Sequence, residues 1–182
     1  MKDISEMNIG ELAAFVCSHL KNNRIDAILS GGSCVSIYTS NKYESNDLDF
    51  IEISSTPRKI LKQVLEQLEF FEENRYFRHP KNKIYIEFPA GPLAVGSEPV
   101  KEIITMAFST GELFIISPTD CIKDRLAHYY HWKDRQCLEQ ALMVAEDNKF
   151  DLDEVKRFSL NEGHEKEFLE FKRLCKINYK RR

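Results

Sequence analysis

No stretch of this sequence is apolar for long enough to cross a bilayer. The longest apolar stretches, such as FIIS from Phe114 and LDFIEIS from Leu48, fall far short of the roughly 20 residues a spanning helix needs. The opening MKDISEMNIGELAAF carries acids and lacks the pattern of a signal peptide, so secretion is not expected. Paired cysteines are missing as well. Cys17, Cys34, Cys121, Cys137 and Cys175 stand apart, odd in number and with no CxxC, which reads as buried thiols in a reducing cytoplasm. His79, His128 and His131 make no convincing metal triad. Positive charge is not in excess either. A formal net charge of −3 argues against a broad electrostatic grip on nucleic acid and leaves room only for a local basic patch. There is no internal repeat and no low-complexity linker.

What remains is the composition of a globular protein: 182 residues, 42% hydrophobic and 30% charged, enough for one domain with an appended helical part. Ile9, Leu12, Phe15, Val16, His19 and Leu20 recur at helical spacing behind a possible Asn8 cap, predicting a helix over 8–23. AILS from Ala27 reads as a strand that stops at Gly31-Gly32, and SCVSIYTS as a short helix after it. LDFIEIS reads as a strand whose alternation puts Asp47, Asp49 and Ile51 on one side. Residues 57–69 form an amphipathic helix with Pro57 in its first turn. FFEE, RYFRHP and KIYIEF are strand-like, and IITMAF and ELFIIS flank a turn at Ser109-Thr110-Gly111. From Pro118 the chain turns helical, with segments at 119–132, 134–148, about 151–158 and 162–178. The expectation is an α+β head over 1–117 and a helical section over 118–182 packed on it.

The chemistry gathers in SGGSCVSIYTSNKYESNDLDFIE, residues 30–52. Gly31 and Gly32 let backbone approach a triphosphate closely, the following helix N-terminus faces anionic oxygen, and Ser33 adds a hydroxyl donor. Asp47 and Asp49, two apart on a strand, point the same way and can share a pair of magnesium ions, which favour oxygen ligands and complete their shells with water and phosphate. Glu87, mid-strand among apolar residues, is the candidate third acid, because a carboxylate there calls for a metal or a cation.

Gly31, Gly32, Ser33, then Ser45, Asp47, Asp49, then Glu87 resembles the nucleotidyltransferase superfamily, to which DNA polymerase beta, the aminoglycoside nucleotidyltransferases and the minimal nucleotidyltransferases belong. The resemblance covers about the first 115 residues. It implies a mixed sheet with flanking helices, nucleotide binding at Gly31, Gly32, Ser33 and Ser45, and metal binding and catalysis at Asp47, Asp49 and Glu87. With two Mg2+ ions, a nucleoside monophosphate would pass from an NTP such as ATP to an acceptor hydroxyl on RNA, protein or a small molecule.

SPTDCIKDRLAHYYHWKDRQCLEQALMVAE, residues 117–146, is similar to the helical segment of the AbiEii-type toxins. Lys123 stands at that motif's lysine and Lys133-Asp134 at its Arg-Asp pair. Cys137-Leu138 replaces the expected Asp-Leu, and Lys42-Tyr43 stands where an arginine precedes the aspartates. This likeness implies that Lys123, with help from Arg125, offsets phosphate charge, and that an antitoxin is a partner. The bland alternative for the segment is a solvated helix pair. The rival function is a catalytically inactive nucleotide- or partner-binding module on the same fold. FPAGPLAVG after Glu87 reads as either a pocket edge or a plain connection. The basic end FKRLCKINYKRR reads as a solvated helix terminus, with polyanion contact as the alternative.

Overall fold

A computed structural model describes residues 2–180, with side chains as far as Cys175. After a 3-10 turn at Ile4–Glu6 come α1 (Ile9–Asn22), β1 (Ala27–Ser30), α2 (Gly31–Tyr38), β2 (Asp47–Glu52), α3 (Arg58–Glu66), β3 (Phe71–Glu73), β4 (Tyr76–His79) and β5 (Asn82–Glu87). The short pair β6 (Ala94–Val95) and β7 (Glu98–Pro99) precedes the hairpin of β8 (Ile103–Phe108) and β9 (Gly111–Ile116). Four helices follow: α4 (Pro118–Trp132), α5 (Arg135–Asp147), α6 (Leu152–Asn161) and α7 (Glu165–Lys180).

Local chemistry explains the main boundaries. Asn8 and Glu11 close a capping box on α1, and Ser117 caps α4 with Pro118 in its first turn. Asp134 and Asp151 cap α5 and α6. Seven strands make one mixed sheet in the order β3-β4-β5-β2-β1-β9-β8. β2 runs antiparallel to β1 and parallel to β5, and β1 runs parallel to β9. The crossovers bring Glu87 beside Asp49 although 37 intervening residues separate them in the chain.

Alternation divides the central strands cleanly. Leu48, Phe50, Ile86 and Phe77 are fully buried on one face, and Asp47, Asp49, Tyr85 and Glu87 lie on the other. α1 packs on β1, β8 and β9, and α2 packs on β1 and β2. α2 also touches α4 and α5, so the helical section reaches the strand ends that carry the acids. The fold is therefore α+β, a mixed sheet with flanking helices and C-terminal helices.

One helix begins earlier than its sequence suggests. α2 starts at Gly31, so the glycine pair forms the helix's first turn rather than a separate loop. The cysteines are all free, four of them buried, and burial pushes the thiols of Cys17, Cys34 and Cys121 upward. The basic run from Lys176 to Arg182 lies outside the residues whose side chains are described.

Candidate functional site

The β1–α2 turn is pressed against the second aspartate. Ser30 pairs with Asp49 across β1 and β2, and Gly31 follows at φ +72°. A Cβ on Gly31 would sit 2.2 Å from Oδ2 of Asp49. Backbone conformation and clearance both demand glycine there. Gly32 is the looser of the two: its missing Cβ would lie 3.3 Å from Oγ of Ser45 and 3.6 Å from the Tyr43 ring. Ser30 makes no side-chain capping bond, so the first N–H groups of α2 have no side-chain acceptor from the cap position. Ser33 is turned away from this opening. It is fully buried and its hydroxyl donates to the Ser30 carbonyl at 3.1 Å, a common fate for a serine inside a helical turn. The expected hydroxyl donor toward phosphate is thus engaged elsewhere.

The three acids come together on one sheet face. Asp49 and Glu87 are register partners on parallel strands, and Asp47 precedes on the same side. Two of them already have protein partners. Oδ1 of Asp47 accepts a hydrogen bond from Ser45 Oγ at 2.5 Å, and Glu87 pairs with Nε of Arg75 at 3.2 Å. Asp49 is the one whose charge is poorly met. Burial, then the negative charges of Asp47 and Glu87, push its pKa up to about 7. A cation that replaced the proton would relieve all three causes at once. The donors are all oxygens, the set that suits magnesium rather than zinc. As the side chains stand, no three His, Cys, Asp or Glu groups among the described residues already converge on a single ion position.

The opposite wall comes from α4. Asp124, Arg125 and His128 line the cleft with Ser30, Gly31, Gly32, Tyr43, Ser45 and the three acids. Pro89, Ala90, Pro92 and Ala94 form its edge, so the proline- and glycine-rich segment after Glu87 is a pocket wall. The cleft holds about 520 Å³, within the range of small-ligand sites. Arg125 is nearly buried. Its guanidinium donates from Nε and Nη2 to Asp124, at 3.0 Å for Nε, and from Nη1 to Gln140 at 3.4 Å. Burial disfavours the charge, but Asp124 more than restores it, and Arg125 stays firmly protonated. Burial and the neighbouring Arg125 lower the pKa of His128, so its ring is neutral near pH 7.

Lys123 is not in the cleft. Its side chain is 0% exposed, with Nζ 2.8 Å from Asp120 and 3.2 Å from Glu154, and its ammonium lies over the Phe158 ring. The expectation that Lys123 offsets phosphate charge is corrected on this ground. Two residues along a helix is more than half a turn, so Lys123 and Arg125 serve opposite sides of α4. Asp124, His128 and Tyr43 were not singled out from the sequence as site residues. The signal that could have found two of them is the i, i+4 spacing of Asp124 and His128 on one face of α4.

No family model and no curated protein sequence matches the chain. Among solved structures it is similar to the solution structure of the antibiotic-resistance factor ANT(2'')-Ia, with a TM-score of 0.56 and 10% of residues identical. The similarity covers 89% of this chain and 94% of that one. At such low identity the likeness is one of fold, and it spans both the sheet and the C-terminal helices.

Proposed function

We propose that this protein is a magnesium-dependent nucleotidyltransferase. It moves a nucleoside monophosphate from an NTP to an acceptor hydroxyl. The observation that carries the reading is the turn at Gly31, at φ +72° and so close to Asp49 that a Cβ would displace its carboxylate, in a cleft that also holds Asp47, Glu87 and Arg125. A glycine turn of this kind brings backbone N–H groups to a polyphosphate beside the metal acids. The fold likeness to an antibiotic-resistance factor supports the same reading.

In the proposed reaction Asp47 and Asp49 hold the metal, with Glu87 as the third carboxylate. Bound magnesium would supply charge neutralisation on the triphosphate and a lowered pKa for the attacking hydroxyl. Gly31 and Gly32 admit the phosphates to the start of α2, Ser45 keeps Asp47 oriented, and Arg125 presents a fixed planar cation to the phosphate oxygens. Glu87 accepts the hydroxyl proton. The acceptor oxygen attacks the α-phosphorus, the bond to the bridging oxygen breaks, and pyrophosphate leaves. ATP is the first NTP to try. An AbiEii-type toxin role with an antitoxin partner loses one of its supports, because the motif's lysine is buried in Lys123's own ion pairs.

One observation favours the rival reading of an inactive binding module: the acids do not yet converge, and Glu87 is tied to Arg75. Turnover separates the two. Purified protein with magnesium, each labelled NTP and RNA, protein and small-molecule hydroxyls should release pyrophosphate, and Asp49→Asn should cut the release sharply. No release with any NTP, together with unchanged magnesium-dependent NTP binding in Asp49→Asn, would overturn the catalytic reading.

A further inference from the structure

The sheet continues past Glu87 into a surface that the proposed nucleotide site does not use. Register places it on the same face as the acids. Tyr85 on β5 pairs with Asp47, and Tyr76 on β4 pairs with Glu87. Lys83 shares that side with Tyr85 by strand alternation. The two tyrosine rings meet edge to face at 4.6 Å. The Arg78 guanidinium lies 5.0 Å from the Tyr85 ring, and that of Arg75 lies 4.8 Å from the Tyr76 ring. Arg75, Arg78 and Lys83 are exposed and both tyrosines are half-buried, so the rings are held in place while the cations reach solvent.

We propose that this β4–β5 face is the acceptor surface and that the acceptor is single-stranded nucleic acid with a free terminal hydroxyl. The inference rests on the nucleotidyltransferase reading for what happens to that hydroxyl, but not for binding. Position argues first. The phosphate side of the cleft is the β1–α2 turn; β2 and then β5 carry the acids; β4 lies beyond them. An acceptor approaching the metal acids from the side opposite the triphosphate crosses Tyr85 and Tyr76. Chemistry argues second. Fixed aromatic rings stack bases regardless of sequence, and guanidinium and ammonium groups beside them take the backbone phosphates. Charge argues third. On a chain of net charge −3, a cluster of three cations at this place fits a polyanion and repels a polycationic aminosugar. Two of the three cations hold an acid, Arg75 on Glu87 at 3.2 Å and Arg78 on Glu73 at 2.9 Å, but both arginine side chains are about half or more exposed, and such pairs are readily exchanged.

The test measures fluorescence anisotropy of a labelled oligoadenylate RNA on the full chain, in low and moderate salt and without NTP. Binding should weaken steeply with salt. Tyr85→Leu should weaken it by about 5- to 100-fold, and Arg78→Glu, which replaces an exposed residue and should leave the fold intact, should weaken it and flatten the salt slope. In parallel, calorimetry with magnesium and a non-hydrolysable ATP analogue should give the same affinity for wild type and both variants. RNA affinity that is absent in wild type, or unchanged in both variants, would overturn the acceptor surface while leaving the NTP site standing. Tighter wild-type binding of the aminosugar kanamycin than of RNA would also overturn it. Loss of NTP binding in wild type with RNA binding intact would instead sink the nucleotidyltransferase reading alone.

Discussion

Two clusters of charge lie on opposite sides of α4, and they are built on opposite plans. On one side Lys123, Lys101 and Arg157 meet Asp120, Glu98 and Glu154. Arg157 forks onto Glu98 at 2.8 Å and 2.5 Å and reaches Glu154 at 2.7 Å, and Lys101 closes on Glu154 at 2.9 Å. Cations and acids match in number, and the acids are more acidic than usual: hydrogen bonds from Arg157 lead in holding Glu98 at about 2 and Glu154 lower still. On the other side Asp47, Asp49, Glu87 and Asp124 face one buried cation, Arg125, with Arg75 at the rim. There Asp49 is less acidic than usual. The closed cluster has satisfied its charge internally. The open one has not, and what would satisfy it is a cation brought from outside. Stability belongs to the first and ligand chemistry to the second.

Breaking the closed cluster gives the largest effect. Lys123→Met strands the buried Asp120 carboxylate, while Glu154 keeps Lys101 and Arg157, and should cost about 3–5 kcal/mol, read from urea unfolding. NTP affinity of the folded fraction should stay within about twofold. A large affinity loss at unchanged stability would reverse the two assignments.

Asp49→Asn is the mirror experiment. Pyrophosphate release should fall by a factor on the order of 100 to 1000. The metal-free protein should become more stable. With a folded pKa raised to about 7 from 3.8, the native state favours the protonated acid, so ionisation disfavours folding progressively from near pH 4 to pH 7. Asparagine never ionises, so Tm at pH 8 should rise by roughly 2–4 °C for each kcal/mol relieved, and at pH 4 the two proteins should melt alike. Equal Tm values at pH 8 would show that Asp49 is not electrostatically strained.

Arg125→Lys keeps the charge and loses the fork to Asp124. The KM for NTP should rise by about tenfold with kcat less affected, because a point charge replaces a fixed plane. The smallest effect is on the acid limb of stability. Glu98 has its pKa lowered from 4.5 to about 2, so its contribution is present above about 4.5 and is lost as pH falls toward 2. Glu98→Gln should flatten the pH dependence of unfolding in that window.

How much of this was legible in the sequence depends on how local each feature is. Asp47 and Asp49 follow from a two-residue period and Gly31 from a turn between a strand and a helix, and both sit where the spacing puts them. Glu87 could be suspected from its apolar strand, but its partnership with Asp49 is a matter of register between strands distant in sequence. Choosing between Lys123 and Arg125 was beyond reach. α4 buries most of its circumference, and Lys123 and Arg125 both lie among its buried residues, so burial alone does not tell which of the two cations borders the cleft. That is decided by α6 and the β6–β7 segment on one side and the sheet acids on the other. Ser33 fell to a similar ambiguity, between its own helix and a ligand.

The segment from Phe88 to Glu98 belongs to both clusters. It leaves β5 directly after Glu87, forms the cleft edge through Pro89, Pro92 and Ala94, and is then fastened to α6. The fastenings are Glu98 on Arg157 and Ser97, whose N–H and hydroxyl both donate to Glu162. Gly96 fits under α6 so closely that a Cβ would come within 2.9 Å of Glu162. It is a strap anchored at both ends, one end in the sheet and the other in the helical section. The width of the cleft is therefore set from two directions, and cutting the chain at Pro118 would do more than remove Arg125: it would leave the strap hanging from one buckle.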